Sequence, residues 1–84
     1  MSSKTLRKTL RSRENDVLIE LLVSAREKQG MTQRDLASAL KRPQSFVGRF
    51  EAGERRLDVV EFVGMVKALK LDPVELFTRF VRSC

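Results

Sequence analysis

The chain has no histidine, no tryptophan and no tyrosine, and its 84 residues include a single cysteine and two prolines. A lone thiol at Cys84 allows no intrachain disulfide, and without histidine it cannot assemble a zinc site, so no cofactor is expected. The usual catalytic constellations are missing too: Cys84 has no partner base, and there is no metal-ligand cluster or glycine-rich phosphate loop. An enzyme is therefore not expected. No apolar run approaches the roughly 18 residues of a membrane span, and MSSKTLRKTLRSREN lacks the apolar centre of a secretory signal. Leu6 and Leu10 are too few to insert a basic arm into a lipid surface, so no membrane partner is expected. A soluble chain in a reducing, cytoplasmic setting is the default reading.

Seventeen basic residues against eleven acidic ones leave a net charge of +6 and a pI near 10.3. The surplus is unevenly placed. Residues 1–16 carry +3, residues 26–57 carry +4, and residues 58–84 balance to zero. A positive arm and a positive middle favour a polyanionic partner. With 42% hydrophobic residues the chain suits one small folded domain, of a size whose thin stability margin association would improve.

No segment alternates like a strand, so the expectation is helical throughout. Residues 1–12 read as a flexible basic arm, and residues 13–84 as the folded domain. The first helix runs from about Arg13 to Gln29 and stops at Gly30, with Leu18, Leu21, Leu22 and Ala25 inward. Thr32 and Asp35 stand at capping-box spacing, so a second helix begins at Gln33. Leu36, Ala37 and Leu40 are its buried positions, and the small Ala37 permits a close crossing. A third helix begins near Pro43, a residue favoured in a first turn, and ends at Gly53. Its Phe46, Val47 and Phe50 form one stripe; Gln44, Ser45, Gly48 and Arg49 form another that contains no acid. Asp58 caps a fourth helix with Val59, Phe62, Val63, Val66 and Leu69 inward. Asp72-Pro73 opens a fifth that carries Val74, Leu76, Phe77, Phe80 and Val81.

Two short helices joined by three or four residues, with a small residue at the crossing, describe a helix-turn-helix. The stretch MTQRDLASALKRPQSFVGRFEAG resembles the Cro and phage-repressor type, the XRE family. The matching features are Thr32-Gln33, Leu36-Ala37, Leu40, the polar-led helix from Gln44 to Phe50, and Glu51-Ala52-Gly53. LKLDPVELF at 69–77 matches the family's ending. The resemblance implies an all-α, compact five-helix bundle of lambda-repressor-like fold that binds double-stranded DNA sequence-specifically, a small transcriptional regulator or repressor associated with the nucleoid. Two departures stand out: Lys41 replaces the usual glycine of the turn, and Pro43 replaces a Ser or Thr cap.

Carried over by position, the recognition helix of about residues 44–52 lies in the major groove with Gln44, Ser45 and Arg49 on base edges. The chemistry agrees, since Gln suits adenine, Arg suits guanine, and Ser serves either edge. The resemblance puts Thr32 and Gln33 on the DNA backbone, where a helix amino terminus is a phosphate site. Arg42, Arg55 and Arg56 flank the recognition helix and are expected to clamp the backbone. Gly48, on the same face, is expected to let the helix approach closely. The family pairs the glutamate at 51 with an arginine on the first helix, and Arg26 falls there. Phe77, Phe80 and Val81, with Ile19 or Val23, either form a homodimer interface or close the core of the monomer. The competing reading is a protein-interaction module of the same fold, an antitoxin-like partner-binding protein; such a module would be expected to carry acids on this face.

Overall fold

The computed structural model describes residues 12–84. The basic arm expected over residues 1–12 lies outside the described residues apart from Ser12. Among the described residues five α-helices follow one another: α1 (Arg13–Lys28), α2 (Gln33–Leu40), α3 (Gln44–Glu51), α4 (Val59–Ala68) and α5 (Pro73–Ser83). There is no strand among the described residues.

The starts of four helices are fixed by side chains that accept otherwise unpaired backbone N–H groups. The Ser12 hydroxyl accepts from Asn15 N–H at 3.1 Å, so the domain includes a residue that sequence assigned to the arm. Thr32 and Asp35 form a complete capping box on α2. Asp58 and Glu61 form a second one on α4, and Asp72 accepts from Val74 N–H on α5.

Four helix ends share one geometry. Gly30, Lys41, Gly53 and Lys70 have φ of 70°, 56°, 77° and 65°. In each case the following residue's N–H reaches back to a carbonyl five residues earlier, as Arg42 does to Ala37 at 3.0 Å. This is a Schellman closure, which favours glycine because a Cβ is strained in the left-handed region. Two of the four positions are lysine, so the turn between α2 and α3 holds mild strain at Lys41.

The core gathers where the helices cross. Leu22 and Ala25 of α1, Leu36 and Ala37 of α2, Val47 and Phe50 of α3, Met65 and Val66 of α4, and Leu76 of α5 are all buried. Phe50 is fully enclosed; removing such a ring costs about 3–5 kcal/mol. Ala37 is buried on α2, which packs on α3.

One inward assignment needs correction. Val59 was expected inside, yet it is 79% exposed. It continues the stripe of Phe62 and Val66, but the neighbours across that end of α4 are Pro73 and Val74, which leave an open groove there. Met65 takes the interior place instead.

Replacing Lys41 with glycine removes the left-handed strain at the cost of a floppier unfolded chain. The balance should raise stability by about 0.5–1 kcal/mol. Urea titration reads this directly, and an unchanged or lower midpoint would contradict the strain.

Candidate nucleic-acid interface

The orientation of α3 is set by a carboxylate. Glu51, in its last turn, accepts Arg26 Nε at 2.7 Å on Oε2 and Arg26 Nη2 at 3.0 Å on Oε1. Gln33 Nε2 adds a third bond to Oε1 at 2.9 Å, and Arg26 Nη1 donates to the Met31 carbonyl at 2.8 Å. Both side chains are largely shielded, 12% and 11% exposed. The Glu51 hydrogen bonds raise the Arg26 pKa above its usual value. The pair therefore ties α1 and α2 to the carboxyl end of α3.

With Phe46, Val47 and Phe50 buried, the opposite face of α3 is presented to solvent. Gln44, Ser45 and Arg49 are all exposed on it, and their side chains make no hydrogen bond or ion pair among the described residues. The amino end of this helix differs from the other four. Pro43 provides no side-chain cap, and the first turn has no acid. The other helices each have a side-chain cap and at least one acid in the first turn. The Gln44 and Ser45 N–H groups have no acceptor among the described residues, so the positive end of the helix dipole is left open.

The expected backbone contacts differ from one another in structure. Thr32 is exposed, but its hydroxyl already accepts from Asp35 N–H at 3.0 Å, and its N–H is held by Asp35 Oδ2 at 2.9 Å. That hydrogen bonding lowers the Asp35 pKa. Gln33 is half-buried. Its amide orientation is fixed by chemistry, because a carboxylate can only accept and Nε2 must be the atom facing Glu51. Gly48 is half-buried as well, so it is not the open groove-facing position that sequence suggested. A Cβ there would meet Gln33 Oε1 at 3.6 Å, an ordinary contact that alanine could make.

Arg55, expected as a free clamp, is engaged. Nη1 donates to Glu61 Oε1 at 2.9 Å and to the Arg56 carbonyl at 2.8 Å, while Nη2 donates to Glu61 Oε2 at 2.7 Å. This bidentate pair raises the Arg55 pKa and, with the Asp58 N–H, holds Glu61 at about 2, well below its usual 4.5. Arg42 lies on the same carboxylate at a longer 3.5 Å. Arg56 Nη2 donates to the Ser12 hydroxyl at 2.9 Å and is otherwise exposed. Glu61 was not singled out from the sequence. Its signal in the sequence was the Asp58–Glu61 capping-box spacing.

Phe77 and Val81 are 52% and 54% exposed, and Phe80 is half-buried. Phe77 packs edge-on against Phe62 at 6.1 Å and tilted on Phe80 at 6.0 Å. The three rings, with Val59, Val63 and Val74, line an open groove of about 430 Å³ that Val81 does not reach. Ile19 and Val23 are half-buried, and Ile19 packs on the core.

Two short helices packed on one another, the second anchored by its apolar face and offering its polar face, define a helix-turn-helix domain. The family model of the helix-turn-helix domain matches residues 18–77, and the chain belongs to this family. It is XRE-like within it. An XRE-family like protein from Pseudomonas syringae pv. tomato str. DC3000 is 40% identical over 98% of both chains, with a TM-score of 0.83. The restriction-modification controller protein C.Esp1396I shares the fold at 22% identity, covering 86% of this chain and 95% of that one (TM-score 0.78); its tetramer has been solved with its natural 35 base-pair operator. The clp gene regulator ClgR from Corynebacterium glutamicum is 21% identical over 86% of this chain and 77% of its own, with a TM-score of 0.75. Comparison with curated proteins found no match.

Arg26→Ala strands the shielded Glu51 carboxylate and removes the tie between α1 and α3. We expect a loss of about 3 kcal/mol in chemical unfolding, the lower end for breaking a buried pair. A loss under about 1 kcal/mol would class it with surface pairs.

Proposed function

We propose that this protein is a sequence-specific double-stranded DNA-binding transcriptional regulator whose helix α3 enters the major groove. One observation carries the reading: among the helices of the described residues α3 alone has neither a side-chain cap nor an acid at its amino end, and Gln44 and Ser45 at that end and Arg49 in the last turn are unpartnered. A carboxylate on that face would repel phosphates, and a side chain already paired would have to break its bond to read a base. Gln44 is suited to adenine, Arg49 to guanine, and Ser45 to either donor or acceptor edges. Thr32, Gln33, Arg42 and Arg56 supply backbone contacts around the helix, and the open N–H groups of Gln44 and Ser45 add a phosphate site. The fold likeness to C.Esp1396I, solved on its operator, supports the same assignment.

The reading includes a homodimer. Val59, Val60, Val74, Phe77 and Val81 are all more than half exposed. Val59, Val74 and Phe77 line one groove, and an exposed apolar surface on so small a domain calls for cover. A second copy joined there would present two recognition helices to half-sites about one helical turn apart.

Selecting bound sequences from random duplexes at a fixed salt concentration tests the reading. A defined motif should emerge, and Arg49→Ala should lose about 1–3 kcal/mol of discrimination at one base position. Binding all duplexes as the parent does would refute the assignment. In sedimentation at micromolar concentration the parent should run as a dimer and Phe77→Ser as a monomer. A monomeric parent would remove the two-fold arrangement.

A further inference from the structure

Two of the three arginines that flank α3, Arg42 and Arg55, converge on Glu61, a residue of α4 outside the helix-turn-helix. Arg55 grips the carboxylate with two bonds of 2.9 and 2.7 Å, and Arg42 Nη1 lies 3.5 Å from Oε2. The same two guanidiniums lie over the buried ring of Phe46, with Cζ 4.0 Å from the centroid for Arg42 and 4.6 Å for Arg55. Two cations on one ring would repel each other without a carboxylate beside them. Glu61 supplies that charge, and its own place is fixed because it accepts Asp58 N–H at 3.0 Å.

The two arginines are held differently. Arg55 is committed to the carboxylate and to the Arg56 carbonyl. Arg42 has one long contact and a side chain 42% exposed, so most of its donors remain available. It is also two residues before Gln44, at the helix end that lacks a cap. Aromatic stacking and the carboxylate thus fix where this guanidinium sits without using up its hydrogen bonds.

We propose that Glu61 is a positioning residue for DNA binding: with Arg55 and the Phe46 ring it holds Arg42 at the amino end of α3, aimed at a single backbone phosphate. The proposal rests on the DNA-binding reading above. It assigns an acid beside the interface a helpful role, where simple charge repulsion would assign a harmful one.

A double-mutant cycle in the full chain separates the two. The probe is the duplex selected with the parent, with affinity measured across a salt series and folding checked by thermal melt. In the parent, Arg42→Ala should weaken binding about fivefold or more and reduce the slope of log affinity against log salt by about 0.9. In a Glu61→Gln background the same change should cost less than about twofold. Glu61→Gln alone should weaken binding to the selected duplex. Equal costs of Arg42→Ala in both backgrounds, or tighter binding of every duplex by Glu61→Gln, would overturn the proposal. Should Glu61→Gln melt below the assay temperature, Arg55→Lys replaces it with the same expectations, because it keeps the charge and loses the bidentate fork. Failure of the parent to select any duplex would sink the DNA-binding reading and this proposal together. Loss of discrimination by Arg49→Ala with additive Arg42 and Glu61 effects would sink this proposal alone.

Discussion

Glu51 takes hydrogen bonds from α1 and α2 while belonging to α3, and the geometry of the site depends on that convergence. A carboxylate this shielded is tolerable only if its oxygens are satisfied. Arg26 occupies both, and Gln33 shares one of them. No buried side-chain polar atom among the described residues lacks a partner. The consequence is rotational. Phe46, Val47 and Phe50 could settle into a hydrophobic core at several angles, because dispersion and burial are nearly isotropic. A directional, bidentate pair admits far fewer. With α3 fixed at its carboxyl end, Gln44, Ser45 and Arg49 can face only outward.

Charge is sorted along the same lines. Three acids near the motif are tied back to protein groups: Glu51 onto Arg26, Asp35 onto the Thr32 N–H, and Glu61 onto Arg55; Glu54 stays exposed. Arg55, which reads in sequence as one more member of a basic run, spends its charge holding Glu61. Arg42, Arg49 and Arg56 keep more of theirs for solvent or a ligand. Net charge by itself would weigh all of these arginines alike.

The apolar face of α4 and α5 is the other side of the same economy of size. A domain this small has few helices with which to cover its own apolar side chains. Leu76 reaches the interior, while Phe77 and Val81 on the same helix remain largely outside. Around Val59, Val74 and Phe77 the molecule is thus left with a groove rather than a closed surface.

Local chemistry made much of the fold legible in the sequence. Thr32 and Asp35, three residues apart, are close enough that their spacing alone dictates a capping box, and both of its bonds are present. Gly30 and Gly53 marked helix ends because left-handed backbone is cheap only for glycine. The apolar stripes located α1, α2 and α3 to within a residue or two. Arg26 and Glu51, 25 residues apart, came from family resemblance rather than from spacing, since nothing local joins them. What escaped the sequence was whatever depends on which helix ends meet. Val59 carries the periodicity of a core residue and stays in solvent, because the facing end of α5 does not close over it. Gln33 and Gly48 face each other, and the Arg42–Arg55–Glu61 group forms, only once α2, α3 and the start of α4 are brought together. Sequence determined the helices, their caps and the composition of each face, because those follow from neighbours along the chain. The tertiary structure decided which charges are spent inside and which remain for a partner, because that depends on distances between residues the chain keeps far apart.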